Sequence, residues 1–135
     1  MTNSISHSVE TWASRAWFDA DAIKGVRYEI ARVSFGRRIE LARKIREIGR
    51  RMEYLEAGAH ASKDAREKLE ATVLSAEIDR AYLEWGLVSV EGLEIDGEKA
   101  TAEAVIDRGP VELAAEILGR IKSECGMNEE ERKNC

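Results

Sequence analysis

The sequence is poor in the residue types on which most catalytic and metal sites depend. It contains two cysteines, two histidines and one proline in 135 residues. Cys125 and Cys135 have neither the spacing of a zinc site nor the number typical of a disulfide framework, so we expect free thiols in a reducing compartment. His7 and His60 lie far from both cysteines, and nucleophilic catalysis needs a base beside its nucleophile. We therefore expect no enzyme activity, no bound metal and no cofactor.

Long apolar segments are also missing. No run of about 18 apolar residues occurs, and the opening residues, MTNSISHSVETW, lack the apolar segment of a signal peptide. We predict a soluble intracellular protein without a membrane partner. An apolar content of 44% suits a single domain over residues 1–135, which needs neither metal nor disulfides to fold. We expect a flexible arm at 1–11 and a flexible, charged tail at 127–135.

Charge is abundant and unevenly distributed. The formal net charge is −5, yet residues 36–51, GRRIELARKIREIGRR, hold seven Lys or Arg against two Glu. Residues 86–135 have the opposite balance, with six basic and twelve acidic residues. Arg37 and Arg38 fall in the first turn of the helix predicted below, where positive charge opposes the helix macrodipole. The sequence therefore predicts one basic helix and an acidic C-terminal half.

Three interpretations of this basic helix remain open. It can be a solvated face, supported by pairs four residues apart such as Glu40–Lys44 and Glu47–Arg51. It can bind an acidic protein, including the acidic half of a second copy. It can also contact nucleic acid through the backbone phosphates. Nucleic acid is the least favoured interpretation, because aromatic residues do not alternate with the arginines and no recognition-helix motif follows.

Hydrophobic periodicity predicts a helical hairpin in the middle of the chain. Residues 26–33, VRYEIARV, alternate as a half-buried strand does, although a helix is the competing interpretation. Ser34 is then a plausible N-cap for a long helix that ends near Gly58. A second helix, capped by Ser62 or Asp64, runs to about Trp85. The first helix has an apolar stripe at positions spaced by three and four residues, namely Leu41, Ile45, Ile48, Met52 and Leu55.

Glycine and turn residues punctuate the C-terminal part. Residues 87–95 alternate imperfectly, as a strand with a bulge at Gly92 does, and Asp96-Gly97 is a favoured hairpin turn. Thr101 is expected to cap a short helix that stops at Gly109. Pro110 is expected at the first position of a last helix, which Gly126 ends. The predicted fold class is mainly α, a helical hairpin plus C-terminal helices, with a small antiparallel β element.

Three aromatic residues follow the N-terminal arm. Trp12, Trp17 and Phe18 either anchor this arm on the core or form an exposed patch that binds a partner. The sequence alone leaves both interpretations open.

Taken together, the helical hairpin ending in AYLEWGLVSVEGLEIDGEKATAEAVIDRGP and the segment ELAAEILGRIKSECGMNEEERKN resemble tail assembly chaperones of long-tailed bacteriophages and prophages. The resembling features are Trp85-Gly86, the Asp96-Gly97 hairpin, the Thr101 cap and the closing apolar and acidic helix. About the last 60 residues carry the resemblance, and SFGRRIELARKIREI extends it. The strongly basic first helix departs from the pattern of this family.

The resemblance implies a non-enzymatic chaperone in the bacterial host cytoplasm, absent from the mature virion. It also implies binding to the tape measure protein and tail tube subunits, and a homo-oligomer. A small nucleic-acid-binding regulator that uses the basic helix at 36–51 is the alternative. The candidate partner-binding residues are four aromatic residues and five arginines of the basic helix: Trp12, Trp17, Phe18, Arg37, Arg38, Arg43, Arg46, Arg50 and Trp85.

Overall fold

The structure, a computed structural model, describes residues 8–58 and 63–126. Nine helices and strands lie within these two ranges. In chain order they are β1 (Arg15–Asp19), β2 (Arg27–Ala31), α1 (Phe35–Gly58), α2 (Lys63–Gly86), β3 (Leu87–Glu91), β4 (Glu94–Ile95), β5 (Glu98–Lys99), α3 (Ala102–Arg108) and α4 (Val111–Glu124).

A three-stranded antiparallel sheet organises the body of the molecule. The strand order is β1-β2-β3, so β2 is central and β1 and β3 are the edges. Strand β2 pairs with β3 although α1 and α2 lie between them in the sequence. The helical hairpin is therefore inserted into the connection between two neighbouring strands.

The strand predicted at 26–33 is confirmed as β2, whose residues alternate between buried and more exposed positions. The irregularity of the sheet lies elsewhere than expected. The register between β2 and β3 shifts between Glu29 and Ile30, which places Val88 as the extra residue on β3. Gly92 does not form a bulge within a strand but separates β3 from the small β4–β5 hairpin. The sequence pattern around Gly92 was therefore misassigned.

Strand β1 follows the predicted N-terminal arm and was not expected. The sequence predicted no strand there, yet Arg15–Asp19 pairs with β2 along its whole length. Residues 8–11 are exposed and without regular structure. Residues 1–7 and the predicted tail at 127–135 lie outside the described residues.

The helical hairpin is confirmed. Ser34 accepts a hydrogen bond at its Oγ from the Arg37 amide, 3.2 Å away, so it is the N-cap that the sequence predicted. Arg51 Nη2 on α1 lies 3.1 Å from Glu77 Oε2 on α2, so the two helices lie side by side. The predicted cap at Ser62 lies outside the described residues, as do the side chains of Met52 and Leu55.

The Asp96-Gly97 turn is also confirmed. Asp96 has φ 54° and Gly97 has φ 81°, so both central residues adopt the left-handed conformation that a tight hairpin turn requires. The Thr101 cap holds as well, because its Oγ1 accepts a hydrogen bond from the Ala104 amide at 3.1 Å. Pro110 was misplaced by one residue: it has extended geometry and precedes α4, which begins at Val111.

The core lies between one face of the sheet and the helices. Strand residues Tyr28 and Ile30 are fully buried, and α4 buries the side chains at every turn of one face, namely Leu113, Ile117 and Ile121. The C-terminal part of α2 and the N-terminal part of α1 complete this cluster. On the hairpin, the described side chains nearer the tip than Ile45 and Ile78 do not belong to this cluster or pack against it. The molecule is thus a packed body with a projecting helical hairpin.

Helices account for more than half of the described residues, and the strands form small antiparallel sheets. The predicted helical elements are present. Five strands make the chain mixed α and β rather than clearly mainly α.

Candidate partner-binding surface

The first two arginines of the basic helix make hydrogen bonds to the ends of other helices, although Arg38 remains exposed. Arg37 Nη2 donates a hydrogen bond to the carbonyl oxygen of Trp85 in the last turn of α2. Arg38 Nη2 donates to the carbonyl oxygen of Cys125 at the end of α4, 3.1 Å away. Carbonyl groups at a helix C-terminus lack helical partners and carry partial negative charge. These contacts offset the unfavourable position of both arginines in the first turn of α1.

Trp85 is not a surface residue, which corrects its place among the candidates. Only 5% of it is exposed. The guanidinium carbon of Arg37 lies 4.7 Å from the centre of the Trp85 ring, and Trp85 Nε1 donates to the Arg37 carbonyl oxygen at 2.9 Å. Arg37 and Trp85 therefore join the two ends of the hairpin, and we remove Trp85 from the candidate partner-binding residues.

Arg43, Arg46 and Arg50 form a separate, outward group. All three are exposed, and their spacing of three and four residues places them on one face of α1, opposite the buried Leu41 and Ile48. Within the described residues none of them has an ion pair. We call this group the arginine face. The exposed Ile39 lies on the same face, toward the N-terminus of the helix.

The supporting ion pairs proposed from the sequence differ from those observed. Glu40 contacts Arg37, three residues earlier, at 3.7 Å instead of Lys44. Arg51 contacts Glu77 on α2 instead of Glu47. The ion pairs Glu40–Lys44 and Glu47–Arg51 that the sequence suggested are therefore wrong.

Strand geometry separates the aromatic residues of β1. Trp17 is on the outer face of the sheet, where the Arg27 guanidinium lies 4.9 Å from its ring centre. Phe18 faces inward, with its ring centre 6.1 Å from that of Tyr28 and with Arg120 of α4 4.2 Å above it. Successive strand residues point to opposite faces, so these two rings cannot belong to one patch. Phe18 anchors the strand on the body.

Trp12 precedes the strand and is largely exposed. Its exposed fraction is 64%, and its ring packs against the Arg32 guanidinium at 4.4 Å. Arg32 also lies 3.8 Å from Glu124 of α4. Trp12 and Trp17 are thus the aromatic candidates that remain at the surface.

A hydrogen-bonded carboxylate fixes the turn between β1 and β2 to α4. Glu116 accepts hydrogen bonds from the amides of Asp21 and Ala22 at 2.7 to 3.0 Å and from the Tyr28 hydroxyl at 2.9 Å. Burial acts to raise the pKa of Glu116, but these three donors and Arg120 outweigh it, so the pKa lies below its ordinary value. Both oxygens of this carboxylate accept hydrogen bonds from within the protein, which indicates a structural role.

A shallow groove runs between the two helices of the hairpin. It encloses about 230 Å³ and is lined by Ile48 and Arg51 on α1 and by Leu69, Glu70, Val73, Leu74 and Glu77 on α2. Leu69 is 65% exposed and Val73 is 50% exposed. Apolar side chains at spacings of three and four residues provide the surface on which an amphipathic helix packs. We call this surface the hairpin groove.

The sequence reasoning did not select Leu69 and Val73 as partner-binding residues. They lie four residues apart on one side of α2, and both line the groove beside α1. Apolar residues at this spacing on a helix are the signal that could have found them. Arg15 and Asp19 at the sheet edge were also not selected, because β1 itself was not predicted.

Residues 8–58 and 63–126 contain no cluster of three or more histidine, cysteine, aspartate or glutamate side chains placed to hold a metal ion. Burial raises the pKa of the Cys125 thiol, which Arg38 partly opposes. A buried thiol of raised pKa is a poor nucleophile. In the same part of the chain, every helix is too short or too polar to cross a bilayer.

Comparison of the chain with protein-family models, with curated proteins and with solved structures gave no match.

Proposed function

We propose that this protein is a non-enzymatic assembly factor that binds a helical segment of another protein. The observation that carries the proposal is the hairpin groove, where Leu69 and Val73 remain exposed beside the core residue Ile48. Burying two such side chains contributes about 1.5–3 kcal/mol each to association.

The resemblance described above suggests which partner this is. A tail assembly chaperone binds the tape measure protein, a long and aggregation-prone chain, and aids tail tube assembly around it. We propose that the hairpin groove covers apolar helical segments of the tape measure protein in the host cytoplasm and that the chaperone is absent from the mature virion. The high content of charged residues, 35%, keeps such a complex soluble.

Coexpression tests this function. We expect the tape measure protein of the same phage or prophage to be insoluble alone and soluble with the wild-type chain. The double variant L69D/V73D should lose this effect, because two buried carboxylates would face the partner helix. V111D is the matched control, since Val111 is 78% exposed on α4, away from the groove. A tape measure protein that stays insoluble with the wild-type chain would contradict the proposal.

A nucleic-acid-binding regulator is the second candidate, favoured by the arginine face alone. Three exposed arginines on one helix face can contact successive phosphates. We expect about three fewer released counterions in the variant R43E/R46E/R50E than in the wild type, read from the salt dependence of binding to a labelled duplex. Absence of binding by the wild type at low salt would exclude this candidate.

A further inference from the structure

Strand β1 has a free edge whose backbone groups point away from the molecule. On its other side, the Arg32 amide donates to the Ser14 carbonyl oxygen at 2.8 Å and the Ala20 amide donates to that of Val26 at 2.8 Å. Hydrogen-bonded positions alternate along an antiparallel strand, so the even-numbered residues face β2. The amide and carbonyl groups of Arg15, Trp17 and Asp19 therefore point to the open side. No described residue forms a backbone hydrogen bond with them there.

The side chains of these three residues share the outer face of the sheet and are exposed. Trp17 is at the centre, with Arg15 two residues before it and Asp19 two residues after it. Asp19 is 90% exposed, and its only ion pair within the described residues is a 3.5 Å contact with Arg27. Arg15 has no ion pair there.

This arrangement is complementary to itself. If a second copy pairs antiparallel about Trp17, each Arg15 lies directly opposite the Asp19 of the other copy and the two Trp17 rings face each other. Parallel pairing would place Arg15 beside Arg15 and Asp19 beside Asp19. Opposite charges across a strand pair stabilise it and like charges destabilise it. The edge thus favours one orientation and one register.

We propose that β1 is the interface of a symmetric homodimer in which two three-stranded sheets join into one six-stranded sheet. The three outward residues of each copy would form about six hydrogen bonds across the two-fold axis. Burial of the paired Trp17 rings supplies the apolar contribution. An unprotected strand edge of this kind pairs readily with another chain unless charges prevent it, and here the charges agree with pairing.

This interface is separate from the hairpin groove, so its test does not depend on the function proposed above. We expect sedimentation velocity to show a concentration-dependent dimer for the wild-type chain. R15D makes the edge residues at positions 15 and 19 both acidic, and D19R makes them both basic. Each single variant should dimerise about tenfold or more weakly, because both cross-strand pairs become repulsive.

The decisive measurement is the mixture of the two single variants. Their edges are complementary, so R15D and D19R together should form a heterodimer, and the double variant R15D/D19R should form a homodimer again. K68D is the control for the change of charge, because Lys68 lies on α2, away from the sheet. Circular dichroism checks that each variant is folded.

Amide hydrogen exchange locates the interface. The Arg15, Trp17 and Asp19 amides should be protected at high protein concentration and should exchange faster on dilution. A wild-type chain that is monomeric at every concentration would refute the proposal. So would single variants that dimerise as strongly as the wild type, since another face would then hold the two copies together.

Discussion

At the scale of single residues, Glu116 shows how a carboxylate in an acidic chain is used for folding. Its hydrogen bonds to two backbone amides and to Tyr28 connect the β1–β2 turn, β2 and α4. Since its pKa is lower in the folded chain than its ordinary value of 4.5, it stabilises the fold above that pH. This stabilisation is lost as the pH falls through the folded-state pKa.

Glu116→Gln should reduce the free energy of unfolding by about 1–2 kcal/mol at pH 7. The difference from the wild type should shrink as the pH falls below the ordinary value of 4.5 and through the lowered pKa of the folded-state carboxylate. Urea unfolding followed by circular dichroism at several pH values measures this. Glu98→Gln, at an exposed position in β5, should change little at any pH. A difference that is constant with pH would show that the charge of Glu116 is irrelevant.

Gly92 is a second residue with a large expected effect. It has φ 83°, and an added Cβ would collide with the carbonyl oxygen of Gly25. We expect Gly92→Ala to lower the free energy of unfolding by at least about 2 kcal/mol, since it combines left-handed backbone strain with this clash. Gly119→Ala is the control: Gly119 is exposed in α4 with open space around it, so alanine should stabilise by about 0.5–1 kcal/mol. Equal effects would contradict this account.

At the scale of elements, the start of α1 holds the ends of two other helices. Arg37→Met removes the donor to the Trp85 carbonyl oxygen and the cation above its ring, so we expect a loss of about 1–2 kcal/mol in thermal or urea unfolding. Arg43→Met, the same change at an exposed position of the same helix, should stay within about 0.5 kcal/mol. If both variants lose the same stability, the inward contacts of Arg37 contribute nothing.

The helices could be predicted because their signals are local. Ser34 and Thr101 each cap a helix, at a position where a hydroxyl side chain precedes a periodic apolar segment. Asp96 and Gly97 form a turn that needs two residues in the left-handed conformation. Strand β1 could not be predicted in this way. Its sequence, RAWFD, places three apolar residues in a row between two charged ones, so hydropathy does not alternate, and the pairing with β2 that defines the strand is a tertiary contact.

The candidate site was predicted only in part, for the same reason. The arginines of α1 were recognised as a basic helix, but periodicity could not tell which of them meet a helix end. Arg38 hydrogen-bonds to the carbonyl oxygen of Cys125, which is 87 residues later in the sequence and caps the end of α4. Trp85 was selected as a candidate partner-binding residue, since its burial depends on Arg37 and on the body packed around it.

At the scale of the whole molecule, stability should be unevenly distributed between the body and the hairpin. The residues of α2 between 67 and 76 are mostly exposed, whereas α4 buries three aliphatic side chains completely or nearly so. We expect amides of α2 in this range to exchange with solvent much faster than those of α4. Native-state hydrogen exchange measures this, and protection of 67–76 should rise on binding of a partner helix. Uniform exchange across both helices would contradict the division into body and hairpin.

The insertion of two 24-residue helices between the adjacent strands β2 and β3 has a consequence for variation in length. The two ends of the insert are joined by the contact between Arg37 and Trp85. The length of the helices beyond this junction therefore does not affect the pairing of β2 with β3. Removing or adding seven residues in each helix, about two turns, would change the reach by about 10 Å and keep the same sides in contact. The same body can in this way carry helical hairpins of different lengths, each suited to a partner of different size.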